Sequence, residues 1–264
     1  MVLTGNLKKM CVVPDHPVQY YLQMEKDEIH LNEFLEKKIT IRYLHEIHCI
    51  RCGRKTSKSF AQGYCFPCFR SAPETEDCVL RPELCRAHEG IARDMDFARN
   101  HCLIDHVVYL SFTSEIKVGV TRNTQIPTRW IDQGAVLAIQ VAKTPNRYTA
   151  GLLEVALKPF YSDKTNWRNM LRETSQNIDL LSYKQNAIRQ LPEELKQFFT
   201  ADDTITQFHY PITENLQKIT SIDLDKIDLL SDILIGIKGQ YLIFKSGKVI
   251  NIRKHSGYRI ELEF

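Results

Sequence analysis

The sequence has no long uncharged apolar run, so no segment reads as a transmembrane helix, and its first ten residues lack the apolar core of a secretory signal. The expectation is a soluble, cytoplasmic protein that needs no membrane. Internal repeats and low-complexity tracts are also lacking, which leaves ordinary globular modules. Net charge is nearly absent too, because 35 Lys and Arg oppose 32 Asp and Glu to give +3. An anionic partner must therefore be met by local patches, not by the whole surface.

Those patches are visible along the chain. Residues 115–172 carry nine basic against four acidic side chains, residues 173–234 five against eleven, and residues 235–264 six against two. The arrangement suits an anionic partner touching the first and third segments, and equally suits modules that attract one another. At 264 residues and 43% hydrophobic, the chain can bury a core in two or three small modules.

Eight cysteines stand out in a chain with no mark of secretion. In a reducing compartment they point to metal ligation before disulfides. Cys49 and Cys52 form one C-x-x-C pair and Cys65 and Cys68 another, with twelve residues between the pairs. Four thiolates in two knuckles suit tetrahedral zinc; two disulfides or a redox pair are the weaker alternatives. A closed site of this kind builds structure. Its loop carries Arg51, Arg54, Lys55 and Lys58 beside Phe60, Tyr64 and Phe66, a set able to hold a phosphate backbone and stack on bases, or simply a solvated loop. Cys78, Cys85, His88 and Cys102 form a candidate second zinc set, with His101 and His106 competing for the last place. Cys11 has no evident partner and reads as a core residue.

From 107 to 154 the pattern changes from period 2 to period 3.6. An apolar run ends at Tyr109, a polar turn covers 113–115, and a second β-branched run covers 116–121, which reads as a hairpin. A short helix over 126–133, a strand over 136–142 and a helix over 148–157 follow. Hydrolysis of a phosphodiester needs an oriented water, cationic groups near the non-bridging oxygens and stabilisation of the leaving oxygen. Tyr109, Lys117, Arg129 and Glu154 could serve if the fold gathers them. Taken singly, Tyr109 reads as a half-buried aromatic, Glu154 as a solvated helix residue and Gly119 as a bulge or close backbone approach.

This order of elements, with V-V-Y at 107–109 and K-V-G at 117–119, resembles the GIY-YIG nuclease superfamily, especially its short phage-type members. The resemblance implies that Tyr109 helps activate water, Arg129 steadies the phosphate and Glu154 holds Mg2+ or Mn2+. Val107 stands in place of the first glycine, and Lys117 in place of the second tyrosine, as in phage-type members. Taken whole, the motifs C-x-x-C-G-R, Q-G-Y-C-F-P-C-F, R-P-E-L-C-R-A-H-E-G, K-V-G-V-T-R, T-R-W-I-D-Q-G-A and D-K-T-N-W closely resemble an uncharacterised prokaryotic family known only as a domain of unknown function.

The remainder is coarser. Strands are expected over 18–24 and 38–43, and a helix starts near Lys164, with Thr165 or Asn166 as its cap and Lys164 and Asn166 within reach of a phosphate. Residues 175–199 read as helix broken at Pro192. Five short strands over 219–263, with glycines between them, suggest a small barrel carrying Arg253, Lys254, Tyr241, Phe244, His255 and Tyr258. The expected fold class is thus α+β: an N-terminal β segment (1–47), a zinc-binding module (48–102), a GIY-YIG-like β-β-α-β-α core (103–175), a helical connector (176–215) and a small C-terminal β-barrel (216–264). The functional expectation is a zinc-containing nucleic-acid-processing protein; binding without cleavage, or a protein-interaction scaffold, are the alternatives.

Overall fold

The computed structural model describes residues 2–25, 27–172 and 177–264. In chain order the elements are β1 (Val2–Asn6), β2 (Cys11–Val13), β3 (Gln19–Met24), β4 (Asp27–His30), β5 (Lys38–His48), β6 (Lys55–Thr56), α1 (Phe66–Ser71), α2 (Met95–His101), β7 (His106–Phe112) and β8 (Ile116–Arg122). After these come α3 (Thr128–Asp132), β9 (Leu137–Thr144), α4 (Arg147–Leu157), α5 (Trp167–Arg172), α6 (Leu180–Gln190), α7 (Glu193–Lys196), β10 (Thr206–Gln207), β11 (Thr220–Ile222), β12 (Leu229–Lys238), β13 (Tyr241–Phe244), β14 (Lys248–Asn251) and β15 (Tyr258–Glu263). The expected helix over 175–199 appears as α6 and α7, separated at Pro192 as its missing N–H requires; its first two residues lie outside the described ones.

Contacts divide the chain into two compact units. One joins the N-terminal stretch up to Arg70 with His209–Phe264, and the other is Ser71–Phe208. The first and last expected segments thus fold together, and the expected zinc-binding module is split at residue 70.

In the first unit the expected C-terminal barrel is replaced by an open sheet. Among the described residues its path runs β1-β15-β5-β12-β13-β14-β11, with β6 on β5. Strand length explains the difference. β12 is ten residues long, and its first half, from Leu229 to Ile233, pairs with β5, while Leu234 to Lys238 pairs with β13. β15 meanwhile pairs with β5 and β1, leaving β11 bonded to β14 alone, and a barrel requires the last strand to return to the first. The five expected strands are all present; their partners lie partly at the other end of the chain. Ile39, Ile41, Leu230, Ile237, Phe244 and Ile260 fill the core beneath this sheet. Cys11 is exposed at the start of β2, not buried as expected.

The second unit is built on a four-stranded antiparallel sheet of order β10-β9-β7-β8. All seven residues of β7 are buried, so this central strand is covered on both faces. Side chains alternate between the faces. Val108 and Leu110 join Val118, Ile139, Leu153, Leu157 and Leu180 in one core, against α4 and α6. Tyr109 belongs to the opposite face, where its ring meets Trp130 of α3 edge-on at 5.8 Å. Tyr109 therefore sits in the middle of β7 and not at its end, because the strand continues through Ser111 to Phe112. No helix among the described residues is long and apolar enough to cross a membrane.

Candidate metal centres and a buried polar constellation

All eight cysteines are free thiols. Cys49, Cys52, Cys65 and Cys68 bring their sulfurs within 4.8 Å of one another. A metal bonded to thiolates at about 2.3 Å places tetrahedral ligands about 3.8 Å apart. Cys52 and Cys65 stand at 3.8 Å. Local backbone bonds build the cage. Cys49 N donates to Arg54 O and Gly53 N to Cys49 O (both 2.9 Å), closing the first turn, while Ile50 N donates to Gly63 O (2.9 Å) and ties the two knuckles. Burial opposes ionisation of Cys49, yet backbone N–H groups of Cys52, Cys65 and Arg51 bring its thiol down to about 6. Cys68 is pushed up to about 12 by desolvation and by hydrogen bonding to the other thiols. A divalent cation there would bind thiolates, so its binding would release thiol protons.

Cys78, Cys85 and Cys102 form a second cluster, also within 4.8 Å and buried in every member. Cys102 joins it as expected, whereas His88, the expected histidine ligand, does not. His88 instead stacks on Tyr148 (ring centroids 4.3 Å). His101 is stacked on Phe97, with Nδ1 on Phe97 O at 3.0 Å. His106 donates from Nδ1 to Ile104 O at 2.7 Å, and burial holds its ring down to about 4, hence neutral near pH 7. A residue that the sequence did not mark stands beside the sulfurs. Arg147, the first residue of α4, donates from Nη1 to Cys78 O (3.1 Å) and from Nη2 to His101 O (3.2 Å). Hydrogen bonds from Cys78 and Cys85, reinforced by the Arg147 charge, pull Cys102 far below the ordinary thiol range.

The close seat of α4 on this cysteine segment depends on Gly151. A Cβ there would lie 2.2 Å from Glu83 N and 2.4 Å from the Pro82 carbonyl carbon, so only glycine lets the helix approach the 82–84 turn that leads into Cys85.

A third group is assembled around the sheet. Tyr109 lies opposite Gly119, and Ser111 opposite Lys117, so all four share one face. A Cβ on Gly119 would stand 2.7 Å from the Tyr109 hydroxyl, which explains glycine in K-V-G: the tyrosine ring lies across it. Tyr109 Oη donates to Gln133 Oε1 at 2.7 Å, and the Arg129 guanidinium lies beside the same hydroxyl. Lys117 is 3% exposed and donates from Nζ to Thr165 Oγ1 at 2.9 Å. Burial, with the Arg129 charge, brings its ammonium down to about 7 against the pull of Glu154 and Asp163. Glu154 is itself only 8% exposed; burial raises its carboxyl despite Lys158 at 3.6 Å. Ser111 Oγ, Trp130 Nε1 and Gln140 Oε1 are buried and find no hydrogen-bond partner in the protein. Tyr109, Lys117, Arg129 and Glu154 thus come from β7, β8, α3 and α4 into one electrostatic neighbourhood. Gln133, Thr165 and Asp163 complete it; the sequence placed them in the T-R-W-I-D-Q-G-A and D-K-T-N-W motifs without marking them as site residues.

The remaining expected residues are dispersed. Lys164 and Asn166 are exposed, and Asn166 caps α5, accepting from Arg168 N at 3.1 Å and Asn169 N at 3.3 Å. On the first knuckle Arg51, Arg54 and Lys55 are exposed, with Lys55 bonded to Glu46 at 2.7 Å. Phe60 packs on Phe66 and Phe69, and Phe66 remains half exposed. Arg253 is half-buried in a short turn before β15. Of its aromatic companions, Phe244 and Tyr258 are buried, and His255 accepts from Leu224 N at 3.2 Å deep in the core.

Fold and site together define a mixed α+β protein with two cysteine clusters of metal-binding geometry and a buried titratable constellation. The chain belongs to the family described as protein of unknown function DUF2797, whose family model matches residues 36–260. No curated protein and no solved structure matches it.

Proposed function

We propose that this is a cytoplasmic, zinc-containing nucleic-acid-processing protein whose second unit carries a GIY-YIG-like phosphodiester site. The observation that supports this most is the gathering of Tyr109, Lys117, Arg129 and Glu154 from four elements that follow one another as strand, strand, helix and, after β9, helix. In this reading Arg129 and Lys117 take the charge of the phosphate, Tyr109 helps activate water, and Glu154 holds Mg2+ or Mn2+. The unpartnered oxygens of Ser111 and Gln140 supply further sites for water on the same face. Both cysteine clusters hold zinc. The cage of the first fixes Arg51, Arg54 and Lys55 on a rigid loop, and these, with Lys164, Asn166 and Arg253, are the proposed backbone contacts.

One observation favours the alternative of binding without cleavage. Tyr109 is fully buried and already bonded to Gln133, so its hydroxyl is less free to act on water than an exposed one. The two readings separate in one assay. Purified protein and a Glu154→Ala variant are incubated with labelled single-stranded, duplex and branched DNA and RNA, with and without Mg2+ or Mn2+. Metal-dependent cutting that drops at least a hundredfold in the variant is expected for the phosphodiester site. Equal retention of nucleic acid by both proteins without cutting selects the binding reading, and neither cutting nor retention ends both.

A further inference from the structure

The two cysteine clusters differ by one ligand, and what lies beside the smaller one gives that difference a use. Cys78, Cys85 and Cys102 hold three sulfurs within 4.8 Å of one another, a spacing that suits one metal ion; thiolates that each bind a different iron of a cluster stand further apart. None of the three neighbouring histidines shares this cage. His88 is stacked on Tyr148 and His101 on Phe97; His106 is bonded through Nδ1 to Ile104 O and keeps Nε2 unpartnered, but no nitrogen of the three falls within the 4.8 Å group. In place of a fourth ligand there is space. A cavity of about 230 Å³ touches all three cysteines, and Leu84, Ile91 and Ala92 form much of its apolar lining. A water molecule occupies about 30 Å³ of liquid, so this space admits several waters or a small organic ligand.

Charge points the same way. Three thiolates and a divalent cation leave one negative charge, which the adjacent Arg147 guanidinium balances. An incoming thiolate would add a second negative charge, at a cavity whose lining includes Arg86 and Arg93. A neutral water adds none.

We infer that the Cys78–Cys85–Cys102 cluster is an open metal site, in which a divalent ion bound by three thiolates keeps its fourth position for water or an incoming small ligand reached through the cavity. The inference rests on the zinc reading of the clusters and gives the two sites different roles. The closed four-cysteine knuckle holds structure, whereas the open site can bind a soft donor such as a thiol.

Cobalt(II) replacement of zinc in the full chain tests both levels. Metal analysis should give two ions per chain in the wild type and one in Cys85→Ser, while His88→Ala and His106→Ala keep two. Titration with 2-mercaptoethanol should then shift the spectrum with a stoichiometry of one per chain. At the open site the thiolate-to-cobalt absorption should rise by about a third, as three sulfurs become four. The Cys85→Ser protein should show no such response. Two ions with a spectrum unmoved by millimolar thiol would overturn the open position. Loss of an ion in His88→Ala or His106→Ala would overturn it as well, by identifying an intrinsic fourth ligand. A single ion per chain that Cys85→Ser does not change would overturn the metal reading of this cluster itself.

Discussion

The first cysteine cage and the second lie in surroundings of opposite kind. Around Cys49, Cys52, Cys65 and Cys68 the neighbours are backbone N–H groups and turn bonds, and the basic side chains of the loop stand in solvent. Beside Cys78, Cys85 and Cys102 stands the half-buried Arg147, and the same unit buries Lys117 and Glu154 around Tyr109. A cage whose charge is met by local backbone does one job, holding a loop. A unit that desolvates titratable groups loses stability to do so, and such groups concentrate where binding or chemistry occurs. On the proposed reading the first cage holds structure and the constellation around Tyr109 does the chemistry; burial alone does not separate the units, because the first buries Lys238 and His255.

The sharpest way to break it is to remove one ligand from each cage. Structural zinc in a four-cysteine site contributes on the order of 10 kcal/mol of folding free energy. Cys65→Ser should therefore abolish amide-exchange protection over residues 49–68 and shift the urea midpoint far more than Cys85→Ser does. Hydrogen exchange by mass spectrometry gives the comparison directly. If Cys85→Ser proved as damaging as Cys65→Ser, the second cage would be a structural site too.

How far this contrast could be read from the sequence depends on the range of the interactions. The C-x-x-C pairs are local, so their cage was legible from spacing alone. The hairpin of β7 and β8 and the helices α3 and α4 were legible because β-branched runs and helical periodicity act within about ten residues. Tyr109, Arg129 and Glu154 were named from a resemblance, and the fold gathers them. What escaped depends on pairing between distant segments. Nothing local in β12 says that half of it belongs to β5, nearly two hundred residues earlier, and so five strands read as a barrel. Arg147 escaped because an arginine at a helix start has no local signature; only the folded position of Cys102 makes it a counter-ion. His88 misled for the converse reason, having suitable spacing in the chain and a ring engaged by Tyr148 in the fold.

A second test addresses the close helix contact behind the open site. Gly151→Ala sets a methyl group against backbone atoms of Pro82 and Glu83, which cannot rotate away as a side-chain tip can. The expected cost is about 3 kcal/mol, at the upper end of overpacking changes. α4 carries both Arg147 and Glu154, so the displacement should reach both sites of the second unit. Loss of the 2-mercaptoethanol response in Gly151→Ala, with two metal ions retained, would show that the seat of α4 sets the open position. A variant as stable as the wild type would mean that the helix is free to shift.

The finest test concerns Lys117, because it asks whether the second unit keeps a charge-averse lysine in solution. Its folded pKa is about 7, below the ordinary 10.5 of the unfolded chain. Between those values the unfolded protein binds a proton that the folded protein does not, so stability rises with pH across this window. As pH falls from 10.5 toward 7 that advantage is lost, and below 7 the full cost of burying the ammonium is present. The steepest contribution is about 1.4 kcal/mol per pH unit for a single group. Lys117→Met keeps much of the apolar stem and removes the titration. Urea midpoints measured at intervals from pH 7 to pH 10 should therefore climb more steeply in the wild type than in Lys117→Met, with the two curves converging at the alkaline end apart from a constant offset. Parallel curves would show that Lys117 keeps its proton in the fold through Glu154 and Asp163. The buried constellation would then hold a paired cation, as structural sites do, and Lys117 would no longer mark a place for chemistry.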